Sequence, residues 1–184
     1  MKFARLLLRL VVGGVFVGHG TQKLFGWFGG PGLDATAEGF ESIGARPGRL
    51  NAITASSTEV GGGTLLALGL ATPVAASGLI AVMLTAINRV HLKNGFWNAS
   101  GGYEFNLTLI ASLLALVEAG PGALSVDGER SQGPGWALAA LLGGIAGAAG
   151  AHAYAAMQAE PEPAPAPAPE EAPATDGEPV GVAA

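Results

Sequence analysis

The chain contains no cysteine, and it has little charge: only 12% of its 184 residues are Asp, Glu, Lys or Arg, against about 25% in soluble domains. The first absence excludes disulfides, thiol nucleophiles, c-type haem attachment and cysteine-ligated iron–sulfur clusters within this chain. The second, with a mean hydropathy of +0.43, argues against an ordinary soluble domain. The net charge of −5 is misleading, because six of the 14 acids follow Gln158, where there is no Lys or Arg. Residues 1–158 hold eight acids and nine basic residues. They show no clustered basic face, so no nucleic-acid partner is expected. There are three histidines and no Glu-x-x-His pair, so the ligand motif of carboxylate-bridged metal centres in helical bundles is missing. A metal held by His19, Glu59, His91 and Glu104 is conceivable from residue types, but none is expected.

What the chain does have is apolar length. Hydrophobic residues make up 49%, and there are 30 glycines; glycine is common in membrane helices because it lets backbones approach closely. About 20 apolar residues cross a bilayer core, and five runs approach that length. Phe3–Phe25 has the basic residues Lys2, Arg5 and Arg9 at its start. A signal peptide shares this plan, but no small-residue cleavage site follows, so the run is read as a retained span. Its Gly14 and Gly18 form a GxxxG pair, a helix-contact signal. Ile53–Leu70 is the second span. Ala71-Thr72-Pro73 is a turn, with Pro73 suited to a first helical turn, and Val74–Val90 is the third span. Tyr103–Ala119 is the fourth, closed by Gly120-Pro121-Gly122. Gly135–Met157 is an Ala- and Gly-rich fifth run, with Gly143 and Gly147 as a close-packing face. Between the first two spans, Asp34–Ile43 reads as a short amphipathic helix lying on the membrane.

These features predict an all-α integral membrane fold. A four-helix bundle occupies residues 1–130 and an additional C-terminal membrane helix residues 131–158. The Pro/Ala/Glu-rich segment 159–184 has too little apolar surface to fold and reads as a disordered tail.

The second span contains a carboxylate, Glu59. A buried ionised carboxylate is costly unless paired, so an ionisable group in a span marks a functional site by default. Antiparallel connection places the end of the first span, the start of the second, the end of the third and the start of the fourth in one membrane half. His19, Gln22, Lys23, Glu59, Asn88, Arg89, His91, Glu104 and Asn106 therefore belong together. Lys23 or Arg89 is the expected counter-charge of Glu59, which lowers the cost of burial and fixes helix register. Glu59, His91 and Glu104 are candidate acid/base groups, because histidine titrates near neutrality and a carboxyl can be tuned toward it. His19, Gln22, Lys23, Asn88, Arg89 and Asn106 are candidate ligand-binding groups. A quinone headgroup would use such a site: an apolar slot with hydrogen-bond partners that exchange protons. The competing reading makes the same cluster polar glue between helices. His152 is read as structural, and Glu118, Asp127, Glu129 and Arg130 as surface turns on the opposite side.

Several of these pieces form an ordered pattern. Gly20-x-x-Lys23-Leu24 ends the first span. Glu59-Val-Gly-Gly-Gly-Thr-Leu-Leu-Ala-Leu-Gly69 lies in the second. Met83 with His91, then Gly102-Tyr103-Glu104 and Gly120-Pro121-Gly122 with Ser125 and Asp127, follow. In this order they resemble the DoxX family of small integral membrane proteins, from about Arg5 to Asp127. The resemblance implies a four-helix membrane bundle and a loose association with redox physiology, including thiosulfate:quinone oxidoreductases and membrane complexes with antioxidant enzymes. The expected function is a redox-associated subunit of the prokaryotic plasma membrane, with a polar intramembrane site for a quinone-like or other small lipophilic ligand. Two alternatives stand beside it: a non-enzymatic scaffold docking a peripheral antioxidant or sulfur-metabolism enzyme, and a small transporter. The expected partners are the lipid bilayer, a peripheral redox enzyme and a second copy of the chain.

Overall fold

A computed structural model describes residues 2–130 and 132–158; the expected tail, 159–184, lies outside the described residues. Among the described residues all regular structure is helical. The six α-helices are α1 (Lys2–Phe25), α2 (Gly32–Ser42), α3 (Gly48–Leu68), α4 (Thr72–Ala86), α5 (Glu104–Ala119) and α6 (Pro134–Met157). Helix α4 runs on through a wider π-helical turn, Ile87–His91.

Local chemistry sets the ends. Gly69 stops α3 in the left-handed conformation (φ 66°), and its N–H and that of Leu70 return to Leu66 O and Leu65 O, the glycine C-terminal cap expected where a helix must end sharply. Pro73 and Pro134 occupy first turns, as the sequence suggested for Pro73. Gly120 and Pro121 end α5.

Helices α1, α3, α4 and α5 pack as a closed ring, with α2 laid over α1 and α3, and α6 against α4 and α5. Phe16, Leu66, Leu79, Ile80, Leu113, Leu116 and Val117 fill the centre. Large apolar side chains also point outward from α1, α5 and α6, among them Leu7, Leu10, Val11, Leu107, Leu138, Leu142 and Ile145. Such a surface suits lipid, not water. By length and composition three helices can cross a membrane: Phe3–Phe25, Thr72–Asn94 and Pro134–Met157. Helix α5 has only 16 residues, about 24 Å at 1.5 Å per residue. Helix α3 has 21 but carries Thr54, Ser56, Ser57, Thr58 and Glu59.

Glycine sets the tightest contacts. A Cβ on Gly13 would lie 2.5 Å from Gly63 O, and one on Gly63 would lie 2.6 Å from Gly13 O. Gly20 meets Ser56 O in the same way one level along. The α1–α3 seam is therefore Gly13 and Gly20, seven residues apart, and not the Gly14/Gly18 pair, whose Cβ positions face open space. On α6, Gly143 and Gly147 do face α4, at Ser77 and Ala81, and Gly144 between them faces Ile80.

The opposite end departs from a set of surface turns. Arg9 is 1% exposed; its Nη1 donates to Pro121 O at 2.8 Å and its Nη2 to Leu124 O. Arg5 Nη1 donates to Ala119 O at 2.7 Å. Asp127 Oδ2 accepts the Ala71 N–H at 2.7 Å, while the Val126 and Asp127 amides donate to Leu68 O and Gly69 O. The loop after α5 thus closes over the α3–α4 turn, and the Arg9 guanidinium occupies the space a side chain at position 69 would need. Asp127 is an integral cap here.

Candidate functional site

Close approach of α1 and α3 at Gly20 brings Lys23, one turn further along α1, beside Glu59, one turn beyond Ser56. Lys23 Nζ lies 2.5 Å from Glu59 Oε1 and 2.6 Å from Oε2. Glu59 is 1% exposed and the Lys23 side chain 27%, so the carboxylate is sealed in while the ammonium sits at an edge. Both carboxylate oxygens are occupied by one cation, the arrangement a buried charge requires.

The pair borders a cavity of about 390 Å³ lined by residues of α1, α2, α3, α4, α5 and α6 and walled mainly by apolar atoms. That volume lies within the roughly 300–1,000 Å³ range of small-molecule sites. Phe16, Met83, Val82 and Phe105 give it apolar walls; His19, Thr54, Thr58, Arg89, Asn106 and His152 give it polar points. His19 and Phe105, also in the lining, are both exposed on α1 and α5, with ring centroids 6.4 Å apart, and form an outer edge of the cavity. Asn106 is buried and donates through Nδ2 to Met83 Sδ at 3.4 Å.

Arg89 lies in the π-helical turn that extends α4. A π turn displaces a side chain from the regular helical face and recurs at functional sites. Its Nε donates to His152 Nδ1 at 3.0 Å, and its Nη1 donates to Ile43 O and Gly44 O at 3.2 and 3.0 Å. The accepting Nδ1 fixes His152 as the neutral tautomer protonated on Nε2. Arg89 thereby joins α4 to α6 and to the segment after α2.

With this geometry in view, comparison with known proteins assigns the lineage. The DoxX family profile matches residues 4–92. The uncharacterised membrane protein Rv3486 of Mycobacterium tuberculosis is 33% identical over 138 residues, spanning 69% of this chain and 81% of that one. The chain belongs to the DoxX family. A second relative, CatD of Bacillus subtilis, provisionally named an oxidoreductase, is 32% identical over 126 residues, 68% of this chain and 86% of its own. No solved structure matches. This DoxX protein is a multi-pass membrane protein, as its outward apolar surface and its three long apolar helices also indicate.

The DoxX signature acquires physical roles here. Glu59 takes Lys23, Gly62 admits Leu79, Gly63 meets Gly13, and Gly69 makes room for Arg9. Of the residues grouped from sequence, His19, Lys23, Glu59, Arg89 and Asn106 line the cavity. Gln22, Asn88, His91 and Glu104 do not. Gln22 backs onto Gly30, and Asn88 is exposed. His91 Nδ1 contacts Gly101 O at 2.7 Å, and Glu104 Oε2 accepts the Asn98 N–H at 2.9 Å, so both brace the α4–α5 connection. His19, Glu59, His91 and Glu104 therefore do not converge, and among the described residues no three acids or histidines do. The counter-charge of Glu59 is Lys23, not Arg89. Sequence reasoning passed over His152 as a cavity residue. The alternation of spans, carried one helix further, places the end of α6 in the same membrane half and was the available signal.

Proposed function

We propose that this DoxX protein is a redox-associated subunit of the plasma membrane that holds a quinone-like or other small lipophilic ligand in the cavity beside Lys23 and Glu59. The observation that carries this reading is the buried Lys23–Glu59 pair on the wall of an otherwise mainly apolar 390 Å³ cavity. The name of the Bacillus relative CatD points the same way.

The residues present fit such a headgroup. Lys23 and the Arg89 guanidinium are donors for a carbonyl oxygen, and Phe16, Val82 and Phe105 supply apolar walls. A bound quinone would supply two-electron, two-proton chemistry. The chain's own part is to orient the ring, exclude water and hold a proton at the Glu59 carboxyl, displaced from Lys23 as the ligand oxygen takes that ammonium. Closure of the site from water strengthens each of these contacts.

The test is native mass spectrometry of the protein in neutral detergent with decylubiquinone, for wild type and Glu59→Gln. Stoichiometric binding to the wild type and loss of at least tenfold in affinity in a still-folded Glu59→Gln protein is the expected result. Equal binding by both removes Glu59 from the site. No binding by either makes the ion pair a helix-to-helix link only.

A further inference from the structure

The charges around the cavity do not balance. Lys23 and Glu59 neutralise each other through two contacts. His152 accepts from Arg89 and is neutral in that contact. That leaves Arg89, which lines the same cavity and, among the described residues, pairs with no carboxylate. Its Nε and Nη1 are taken by His152 and by the Ile43 and Gly44 carbonyls, whereas Nη2 donates to no group among the described residues. A guanidinium in a membrane protein is expensive unless an anion or a set of acceptors answers it. Here two of its three nitrogens are clamped by neutral acceptors, which fixes the plane of the fork. The third has no partner among the described residues, and the cavity that Arg89 lines has Val82, Ala86, Val90 and Ala151 among its apolar walls.

We infer that the cavity selects a lipophilic anion: a single apolar chain or ring ending in a carboxylate, held by Arg89 Nη2. Charge-assisted hydrogen bonds from arginine to carboxylate are about twice as strong as neutral ones, and the fixed fork gives them direction. The volume of about 390 Å³ is at the small end of ligand sites, which fits one chain and not a two-chain lipid. The outer edge at His19 and Phe105 would admit such a molecule sideways, with its chain staying in lipid. The inference rests on the reading of this cavity as a ligand site and narrows the ligand class within it.

The experiment compares dodecanoate with 1-dodecanol, which has the same chain and no charge, by native mass spectrometry and thermal shift of the full chain in neutral detergent. Dodecyl phosphate serves as the lipid-headgroup analogue, and decylubiquinone as the neutral ring. Wild type is expected to hold dodecanoate at least tenfold more tightly than dodecanol. Arg89→Gln is expected to abolish that preference by weakening dodecanoate far more than dodecanol, and Arg89→Lys to restore part of it. Stronger binding of dodecyl phosphate than of dodecanoate would overturn the carboxylate assignment in favour of a lipid headgroup. Equal binding of dodecanoate and dodecanol to the wild type overturns the inference even if Arg89→Gln does not fold. If decylubiquinone still binds in that case, the proposed function stands and only the anion preference fails; if nothing binds, both fail.

Discussion

Lys23 and Glu59 bind each other at both carboxylate oxygens yet are unequally buried, 27% against 1% exposed. The two partners therefore differ in what happens when the other is removed. A stranded lysine at the edge can turn its amine outward on a flexible stem. A stranded Glu59, only 1% exposed, can turn nowhere but toward the cavity it borders.

Lys23→Met should therefore cost more than Glu59→Gln. Breaking a buried pair from the side that leaves a sealed charge costs about 3–5 kcal/mol, whereas loss of the charged hydrogen bonds alone costs about 1.5–3 kcal/mol. The double replacement Lys23→Met with Glu59→Leu should recover most of the deficit. Thermal unfolding in detergent micelles measures all three, and equal destabilisation by the two single changes would show that burial does not distinguish the partners.

The α1–α3 seam makes a contrast between glycines that face the partner helix and glycines that do not. Gly13→Ala and Gly63→Ala each drive a methyl into a backbone carbonyl at 2.5–2.6 Å, and overpacking of this kind costs about 1–3 kcal/mol. Gly14→Ala and Gly18→Ala meet nothing within 4 Å and should be neutral or stabilising by up to about 1 kcal/mol through helix propensity. Melting temperatures of the four variants settle it; a penalty at Gly14 matching that at Gly13 would mean a different face of α1 is packed.

Arg9 ties α1 to the loop after α5 through two carbonyls, Pro121 and Leu124. Arg9→Lys keeps the charge but replaces a fork with a single point, so one carbonyl loses its donor. The expected cost is about 1–3 kcal/mol, with faster proteolysis and faster amide exchange across residues 122–130. Unchanged protection of that loop would show that Asp127 and the backbone contacts alone hold it.

Part of this was legible in the linear chain. Apolar length located α1, α4 and α6, Pro73 located the turn between α3 and α4, and alternation of spans grouped His19, Lys23, Glu59, Arg89 and Asn106 in one membrane half. Those properties follow from local chemistry and from the one-dimensional order of crossings. The same rule also gathered Gln22, Asn88, His91 and Glu104, because it assigns depth along the membrane and not the direction a residue faces. Helix rotation decides facing, and in an apolar, Gly-rich chain with polar residues on several sides the sequence offers weak rotational cues.

Composition and order alone determined that this is a helical membrane protein with a carboxylate in its second apolar run and the basic residues Lys23 and Arg89 grouped with it. Only the tertiary structure decided which base that is, because the answer depends on Gly20 letting α3 approach α1 closely enough for Lys23 to reach Glu59. It also decided that Arg9 is a buried clamp and that Arg89 meets His152 on the cavity wall, since both depend on contacts more than 60 residues apart in sequence. Local propensity carries no record of such contacts; close packing between helices creates them.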